Sequence, residues 1–486
     1  MKNLTENHPA AQITAKPLVF EDLELADKIT PLALFTPISR QPWAIWLDSC
    51  HSAHIDSRYD IIVWQPLVTL TTLDETTHIH HVATNRHEQS KKDPLTLVKN
   101  LQAKIFPNSP DTCDGLPFHG GALGYFSYDL GRRFETLPSQ AAKDIPLPEM
   151  AVGIYQQAVI FDNKSQNYFL VCPEHKRRQI EKQIQGWLQK KAGPSTPAFS
   201  LSGDWQSNMD KPGYGEKFNR VQDYLRSGDC YQINLAQRFS ADYQGDEWLA
   251  YLELRAKNAA PFSSFIRLPQ GAVLSVSPER FLQVVDNQVE TKPIKGTRPR
   301  SQKPELDAQL AKTLKTAEKD RAENLMIVDL LRNDLSKVAV PGTVDVPSLF
   351  AIESFPAVHH LVSTVTAQIR PPYSSLDLLR GAFPGGSITG APKIRAMQII
   401  HELEPHPRSV YCGAIGYIRP NGDMDTNITI RTLVCNQNRI HCWAGGGLVA
   451  DSDCDAEYQE TLDKVNKILP VLSAMTNSSP SKVEAN

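Results

Sequence analysis

Short runs of β-branched and aromatic residues, grouped together with helical stretches inserted between the groups, most strongly limit the fold of this chain. In the second half the predicted strands are 271–277, 281–285, 413–418, 428–435 and 440–444. The predicted helices there are 214–226, 304–317, 320–333, 391–401 and 455–469. Because the strands come in groups instead of alternating with helices, we predict an α+β fold without regular βαβ units.

The first 190 residues also favour strands, and a linker follows them. The predicted strands are 43–47, 59–64, 118–126, 151–162 and 166–172, with a hairpin across 163–165 and a helix over 174–191. Residues 191–213 contain Gly, Pro and Ser without a sustained period, which indicates a linker. The predicted organisation is a flexible N-terminus (1–18), an N-terminal region (19–190), the linker (191–213), a catalytic domain (214–472) and a disordered tail (473–486).

The composition is that of a globular protein, with 41% hydrophobic and 22% charged residues in a chain of 486. A net charge of −3 argues against nucleic acid and anionic membranes as partners. No apolar run reaches the ~18 residues that a membrane-spanning helix needs. The polar start lacks an export signal and the eight cysteines contain no Cys-x-x-Cys pair, so we expect a cytoplasmic protein with reduced thiols.

Carboxylates on one face of the predicted helix 455–469 suggest a cation site. Glu457, Glu460 and Lys464 are spaced at i, i+3 and i+7. A solvated face is the alternative, since charged runs usually mark exposed helix. A strand and turn with three glycines, Gly445 to Gly447, come just before the helix, and glycine amides can approach an anion closely. This order favours an anionic substrate bridged to the helix by a metal ion.

Glu323 has apolar neighbours in the predicted helix 320–333 and therefore needs a partner. A hard cation shared with Glu460 is one such partner, and an ion pair with Arg321 or Lys319 is the other.

Lys295 follows Pro293 and lies between Ile294 and Gly296, which predicts a packed side chain instead of an ordinary surface lysine. Burial lowers the pKa of a lysine and frees its amine to act as a nucleophile.

The runs 277–281, 291–300, 320–325 and 385–393 together resemble motifs of the chorismate-utilising enzymes. This family includes anthranilate synthase component I, aminodeoxychorismate synthase component I, isochorismate synthase and salicylate synthase. The resemblance is close over about 228–466 and looser before it. It implies chorismate as the substrate and a large antiparallel β-sandwich flanked by helices, with the N-terminal region packed onto the same body.

Position 295 divides that family, because anthranilate synthases carry Ala there and aminodeoxychorismate synthases carry Lys. The resemblance implies that Lys295 attacks chorismate C2 while the C4 hydroxyl departs, and that ammonia then adds at C4 and expels the lysine. Glu279 matches the general acid that protonates the departing hydroxyl. Gln232 occupies the position where isochorismate and salicylate synthases have a water-activating lysine. The resemblance thus implies amination at C4, with anthranilate synthase as the alternative enzyme.

Further site residues follow from the same resemblance. His360 matches a histidine near the reacting ring. The predicted substrate contacts are Gly296, Thr297, Thr389, Lys393, Tyr411, Arg431, Gly445, Gly446, Gly447 and Lys464. The predicted Mg²⁺ ligands are Glu323 and Glu460, with Glu457 nearby or acting through water.

A second predicted pocket lies where the family binds tryptophan. Its residues are Ser49, Asp56, Ser57, Arg58, Tyr59, Pro261, Phe262 and Ser263. Plain core packing is the alternative for Pro261 and Phe262. The inhibitory pocket of anthranilate synthases has a Leu-Leu-Glu-Ser motif, from which Trp46-Leu47-Asp48-Ser49 departs. This departure argues against feedback control and leaves open whether the pocket binds an amino acid. A non-catalytic amino-acid sensor is therefore a second hypothesis.

No cysteine has the Gly-x-Cys-x-Gly setting of a glutaminase nucleophile. An aminating site without its own glutaminase needs a supply of ammonia, and the two predicted regions use the whole length of the chain. We therefore expect a heterodimer with a glutamine amidotransferase subunit.

Overall fold

The computed structural model describes residues 18–25, 29–51, 54–107, 115–138, 143–189, 197–354 and 358–475. Nearly all of the predicted flexible N-terminus and disordered tail, and the first part of the predicted linker, lie outside the described residues.

The described strands are, in chain order, β1 (Leu18–Asp22), β2 (Ile45–Asp48), β3 (Tyr59–Val63), β4 (Val68–Leu73), β5 (Thr76–His81), β6 (Arg86–Ser90), β7 (Gly121–Phe126), β8 (Met150–Tyr155), β9 (Ala158–Asp162), β10 (Asn167–Pro173), β11 (Ser200–Leu201), β12 (Gln206–Ser207), β13 (Gln232–Gln244), β14 (Phe262–Leu268), β15 (Gly271–Ser277), β16 (Arg280–Val285), β17 (Gln288–Thr291), β18 (Ile294–Pro299), β19 (Asp345–Ser354), β20 (Val358–Gln368), β21 (Gly390–Ala391), β22 (Ala414–Ile418), β23 (Met424–Asn427), β24 (Thr432–Asn436) and β25 (Arg439–Leu448).

The described α-helices are α1 (Pro31–Phe35), α2 (Pro94–Ile105), α3 (Arg177–Gln189), α4 (Lys211–Arg226), α5 (Glu247–Asn258), α6 (Pro304–Thr316), α7 (Glu318–Ser336), α8 (Ser375–Ala382), α9 (Lys393–Leu403), α10 (Cys454–Val465) and α11 (Leu469–Ser473). None of them is both long enough and apolar enough to span a bilayer.

Two large antiparallel sheets form the body of the protein. The first has the order β1-β10-β9-β3-β2-β14-β15-β24-β25-β13-β11, with β12 and β21 also paired to β13. The second has the order β18-β20-β17-β16-β23-β22-β7-β8-β4-β5-β6, with β19 also paired to β20. Each sheet combines strands from before and after the predicted linker. This arrangement confirms the predicted α+β class with the N-terminal region on the same body, and the domain boundaries stay predictions.

The first sheet buries both of its faces. Ile45 and Trp46 are neighbours in β2, and strand alternation sends their side chains to opposite faces. Ile45 joins the core that both sheets share. Trp46 joins a second core with Phe35 of α1, Ile184 of α3 and Trp248 of α5. The helices therefore cover the outer face of this sheet, which leaves its inner face to pack against the second sheet.

One predicted strand proves to be two. The run 151–162 divides into β8 of the second sheet and β9 of the first, and the buried Gln156 and Gln157 lie at the crossing between them. The Gln157 amide donates to the Trp64 carbonyl at 3.3 Å, which satisfies it inside the protein. No Gly or Pro marks this crossing, so local sequence signals do not reveal it. The predicted hairpin across 163–165 is confirmed by the pairing of β9 with β10.

Candidate active site

Lys295 lies in β18, at one end of the second sheet. Its half-buried ammonium donates a hydrogen bond to the Ser387 carbonyl at 3.3 Å. Gly296 follows with φ 78°, and a Cβ there would lie 2.7 Å from Asp320 Cγ, so this close approach requires glycine. Burial lowers the pKa of Lys295 although nearby carboxylates raise it. The Lys295 amine is therefore more available than that of an ordinary surface lysine.

Glu279 lies just before β16 with its side chain buried. Burial raises the pKa of its carboxyl to about 7, because the charged form loses its hydration. The Lys295 ammonium and a hydrogen bond from the Ser387 hydroxyl, 3.3 Å from Oε1, act in the opposite direction. A carboxyl with this pKa holds a proton much of the time at neutral pH and can protonate a leaving group.

Ser387 belongs to the loop between α8 and α9, which internal hydrogen bonds hold in place. The buried Arg408 guanidinium donates to the carbonyls of Ile388 at 2.9 Å and Asn234 at 2.7 Å. The Thr389 hydroxyl donates to a carbonyl within its own loop, so this hydroxyl faces the loop. Sequence reasoning misses Arg408, because arginines are usually exposed and no local signal marks this one as buried.

The carboxylates of α10 lie over β25. A Cβ on Gly446 would be 3.0 Å from Glu457 Oε2 and 3.5 Å from Glu460 Oε1. Lys464 pairs with Glu460 at 2.6 Å and donates to the Gly445 carbonyl at 2.8 Å. Glu457 is buried, and burial raises the pKa of its carboxyl. The solvated-face alternative therefore does not describe Glu457, whereas Glu460 is half exposed.

Residues 445–447 lie inside β25 and not in the predicted turn. They pair with β13 on one side, but β24 pairs with β25 only as far as Cys442. Beyond Cys442 no described strand covers the other side, and the Gly445 carbonyl meets Lys464 there. The N–H and C=O of a strand residue point to the same side, so the Gly445 amide is also directed to this open edge.

Glu323 reaches the same region from α7. Burial raises the pKa of its carboxyl and the Glu457 carboxylate raises it further, while Lys295 and Lys319 lower it. Carboxylates from α7 and α10 thus interact across one cleft. No group of three His, Cys, Asp or Glu side chains among the described residues is arranged to hold a metal ion alone. Mg²⁺ commonly takes one or two protein carboxylates plus substrate oxygens, and Glu323 with Glu460 fits that requirement.

His360 and Arg431 line the part of the site nearest to β18. Thr297 Oγ1 lies 2.8 Å from His360 Nδ1. Burial and the Arg431 guanidinium lower the pKa of His360 to about 4, so the ring is neutral at neutral pH. Within the described residues Arg431 forms no side-chain hydrogen bond or ion pair, and burial lowers its pKa. This desolvated cation is suited to a substrate carboxylate.

Gln232 starts β13 and pairs with Ala391 of the loop. A Cβ on Gly447 would lie 2.0 Å from Gln232 Nε2, so the amide fills the space that the glycine leaves. The buried Gln232 Oε1 has no partner within the described residues. An amide does not act as a base, whatever it contacts. Tyr411 is also buried and stacks on Trp443 with 6.1 Å between ring centroids.

Lys393, like Thr389, makes its side-chain hydrogen bonds inside the protein. Its ammonium donates to Asp334 Oδ2 at 2.5 Å and to the Ala382 carbonyl at 2.6 Å. Both partners are inside the protein, and Asp334 is only 1% exposed. These contacts join the start of α9 to α7 and to the end of α8. The structure therefore gives Lys393 a role in holding these elements together, and its role as a substrate contact stays a prediction.

The family follows from comparison with known proteins. The sequence profile described as chorismate binding enzyme matches residues 44–470. The chain belongs to this family.

Two relatives and one solved structure place the chain within the chorismate-binding enzymes. Aminodeoxychorismate synthase component 1 of Klebsiella aerogenes is 53% identical over 446 residues, which cover 90% of this chain and 96% of that protein. Anthranilate synthase component 1 of Pseudomonas putida is 36% identical over 456 residues, which cover 90% of this chain and 92% of that protein. The crystal structure of anthranilate synthase component I from Streptococcus pneumoniae matches with a TM-score of 0.76 and 29% identity, covering 85% of this chain and 93% of that one.

This chorismate-binding enzyme also contains a cavity of about 550 Å³ lined by strands of both sheets. Six predicted pocket residues line it: Asp56, Arg58, Tyr59, Pro261, Phe262 and Ser263. The other two do not. Ser49 is hydrogen-bonded to the buried Asp60, and Ser57 lines a neighbouring opening. Plain core packing therefore does not describe Pro261 and Phe262.

Proposed function

We propose that this protein aminates chorismate at C4, producing 4-amino-4-deoxychorismate for 4-aminobenzoate and folate synthesis. The observation that carries the proposal is the joint placement of Lys295 and Glu279, since Ser387 contacts both. Their pKa values are shifted in the directions that the reaction needs, because Lys295 holds its proton less tightly and Glu279 more tightly. The higher identity to a relative named aminodeoxychorismate synthase component 1 supports the same assignment.

The proposed reaction has two displacements that balance in atoms and charge. The neutral Lys295 amine forms a bond to C2, the ring π electrons shift, and the C4–O bond breaks. Glu279 supplies the proton with which the hydroxyl leaves as water. Ammonia then bonds to C4, the π electrons shift back, and the C2–N bond breaks to restore the Lys295 amine. The new ammonium gives a proton to Glu279, which completes the cycle.

We propose Mg²⁺ as the resident cation, held by Glu323 and Glu460 with Glu457 beside them. When bound, the ion would neutralise a carboxylate of the substrate against these acidic side chains. Arg431 and the Gly445 amide would bind and orient substrate carboxyl oxygens, and His360 would face the ring as a neutral group.

The deciding experiment incubates the purified chain with chorismate, Mg²⁺ and an ammonium salt, and identifies the products by chromatography and mass spectrometry. We expect 4-amino-4-deoxychorismate and no anthranilate. Fluorescent anthranilate as the product, with no lyase added, would replace this function with that of an anthranilate synthase. Absence of any chorismate turnover would favour the amino-acid sensor.

We further propose that a glutamine amidotransferase subunit supplies the ammonia. The component 1 names of the relatives imply a second component, and near neutral pH free ammonia is a small fraction of total ammonium. The chain alone should use ammonium but not glutamine, and addition of cell extract should restore glutamine-dependent turnover. Hydrolysis of glutamine by the purified chain alone would show that no such partner is needed.

We also propose that the 550 Å³ cavity binds an amino acid such as tryptophan. Phe262, Pro261 and Tyr59 offer apolar surface for a ring, while Asp56 and Arg58 offer charges for the amino and carboxylate groups. Tryptophan at 100 times its Kd would stabilise the protein by ~2.7 kcal/mol. We therefore expect tryptophan to raise the melting temperature, and Ser263→Leu should abolish this increase. An unchanged melting temperature at millimolar tryptophan would exclude this ligand.

A further inference from the structure

Ser387 makes two contacts that no other described residue combines. Its main-chain carbonyl accepts a hydrogen bond from Lys295 Nζ at 3.3 Å. Its hydroxyl donates to Glu279 Oε1, also at 3.3 Å. One residue thus contacts both the amine and the acid, although they belong to different strand ends, β18 and the start of β16.

Contacts on both sides of Ser387 hold its loop in place. The next carbonyl, that of Ile388, accepts from the buried Arg408 guanidinium. Thr389 donates to the Gly385 carbonyl and accepts through its own carbonyl from the Asn234 amide at 2.8 Å. A Cβ on Gly386 would lie 2.5 Å from Leu330 Cδ2, so α7 packs closely against the loop. The loop cannot shift at Ser387 without breaking these contacts.

We propose that Ser387 is a positioning residue for C4 amination: its carbonyl holds the Lys295 amine and its hydroxyl holds the Glu279 carboxyl at a fixed spacing. This inference rests on the proposed function. The Ser387 hydroxyl bonds Oε1 of Glu279, and the main-chain amide of Ile294 is a second donor to this carboxyl. Without the Ser387 hydrogen bond the carboxyl keeps the Ile294 donor but is held less firmly in the orientation that faces the departing hydroxyl group. This loss lowers the catalytic rate and leaves substrate affinity unchanged.

The charged and titratable groups around Glu279 set the direction of a second effect. Lys295, Lys464 and Arg431 are the cations that interact with it, and the Cys412 thiol is also nearby. Burial is the main influence and raises the Glu279 pKa, whereas the Ser387 hydroxyl lowers it. Loss of the hydroxyl therefore raises this pKa. Since Glu279 acts in its protonated form, the decline of activity at high pH should move to higher pH.

The experiment compares wild type, Ser387→Ala and Ser387→Thr at matched concentrations of free ammonia. We expect kcat of Ser387→Ala to fall about tenfold, which corresponds to ~1.4 kcal/mol. The KM for chorismate should change less than twofold, and the alkaline limb should move upward. Ser387→Thr retains the hydroxyl and should recover most of kcat and the wild-type limb. Ser127→Ala is the matched control, since the buried Ser127 hydroxyl has no partner in the described residues.

Wild-type kcat and pH profile in Ser387→Ala would overturn the inference, as would equal losses and identical profiles in the Ala and Thr variants. If Ser387→Ala does not fold, Ser387→Thr against Ser387→Val makes the same comparison, because that pair exchanges a hydroxyl for a methyl. Failure of the proposed function is distinguishable, because it changes the product of the wild type. The kcat and pH comparison then applies to that product.

Discussion

Glu279 and Arg280 are adjacent in the chain, but their side chains belong to two different sites. The Glu279 carboxyl accepts from Ser387 beside Lys295. The Arg280 guanidinium bonds Asp56 at 2.8 Å and Asp425 at 3.0 Å in the wall of the 550 Å³ cavity. The start of β16 therefore lies between the candidate active site and the proposed amino-acid site.

Replacement of Glu279 by Gln should lower the activity and raise the stability at alkaline pH. We expect turnover to fall about 10²- to 10⁴-fold, because the amide cannot protonate the departing hydroxyl. The folded-state pKa of about 7 lies above the unfolded value, so wild-type stability decreases as pH rises through this interval. Glu279→Gln removes this loss and should gain up to ~3 kcal/mol at pH 8, with no gain at pH 4. Urea unfolding of wild type and Glu279→Gln at both pH values measures this gain in the free energy of unfolding. An equal gain at pH 4 and pH 8 would contradict a buried Glu279 carboxyl with a raised pKa.

Replacement of Lys295 by Ala should reduce formation of the C4 product by at least about 10³-fold, since the covalent route needs the amine. Some chemistry at C2 can survive because the Glu279 acid and the carboxylates proposed to hold Mg²⁺ remain. Mass spectrometry of wild-type enzyme quenched during turnover should find an adduct on the peptide that contains Lys295. Lys292→Ala is the control, because that lysine pairs with Glu353 at 3.0 Å and should leave turnover unchanged. Normal product formation by Lys295→Ala would end the covalent mechanism.

The variants Glu323→Gln and Glu460→Gln should weaken Mg²⁺ dependence and chorismate binding together, because one ion would contact both protein and substrate. We expect the Mg²⁺ concentration for half-maximal activity to rise at least tenfold in each. Isothermal titration of Mg²⁺ into the protein gives a second measurement. Asp329→Asn is the control, since this exposed residue of α7 pairs with Arg332, and such pairs contribute at most ~1 kcal/mol. Unchanged Mg²⁺ titrations in both glutamate variants would refute the site.

Lys393→Ala should mainly destabilise the protein. Among the described residues, removal of the ammonium leaves the buried Asp334 carboxylate with only Lys337 as a cationic partner. Breaking a buried ion pair costs about 3–5 kcal/mol. The double variant Asp334→Leu with Lys393→Met should recover much of this loss in urea unfolding. A substrate contact predicts the reverse pattern, with near-normal stability and a raised KM for chorismate. That pattern would restore the sequence-based assignment of Lys393.

Local sequence was sufficient for much of the fold. The strand predicted at 271–277 matches β15, and the helix predicted at 304–317 matches α6 within one residue. These elements have clear apolar periods and turn residues at their ends, so neighbouring residues determine them. The split between β8 and β9 had no such signal, because it depends on which sheet each half joins.

The sequence by itself determined the residue types of the candidate site: an amine at 295, an acid at 279, and carboxylates at 323, 457 and 460. Tertiary structure alone decided their surroundings. It brings the Ser387 hydroxyl to Glu279 across 108 positions of the chain and buries Glu457 while leaving Glu460 half exposed. It also places Lys393 in an ion pair with Asp334. The physical reason is that pKa values and partners depend on burial and on contacts between residues far apart in the chain, which local patterns do not specify.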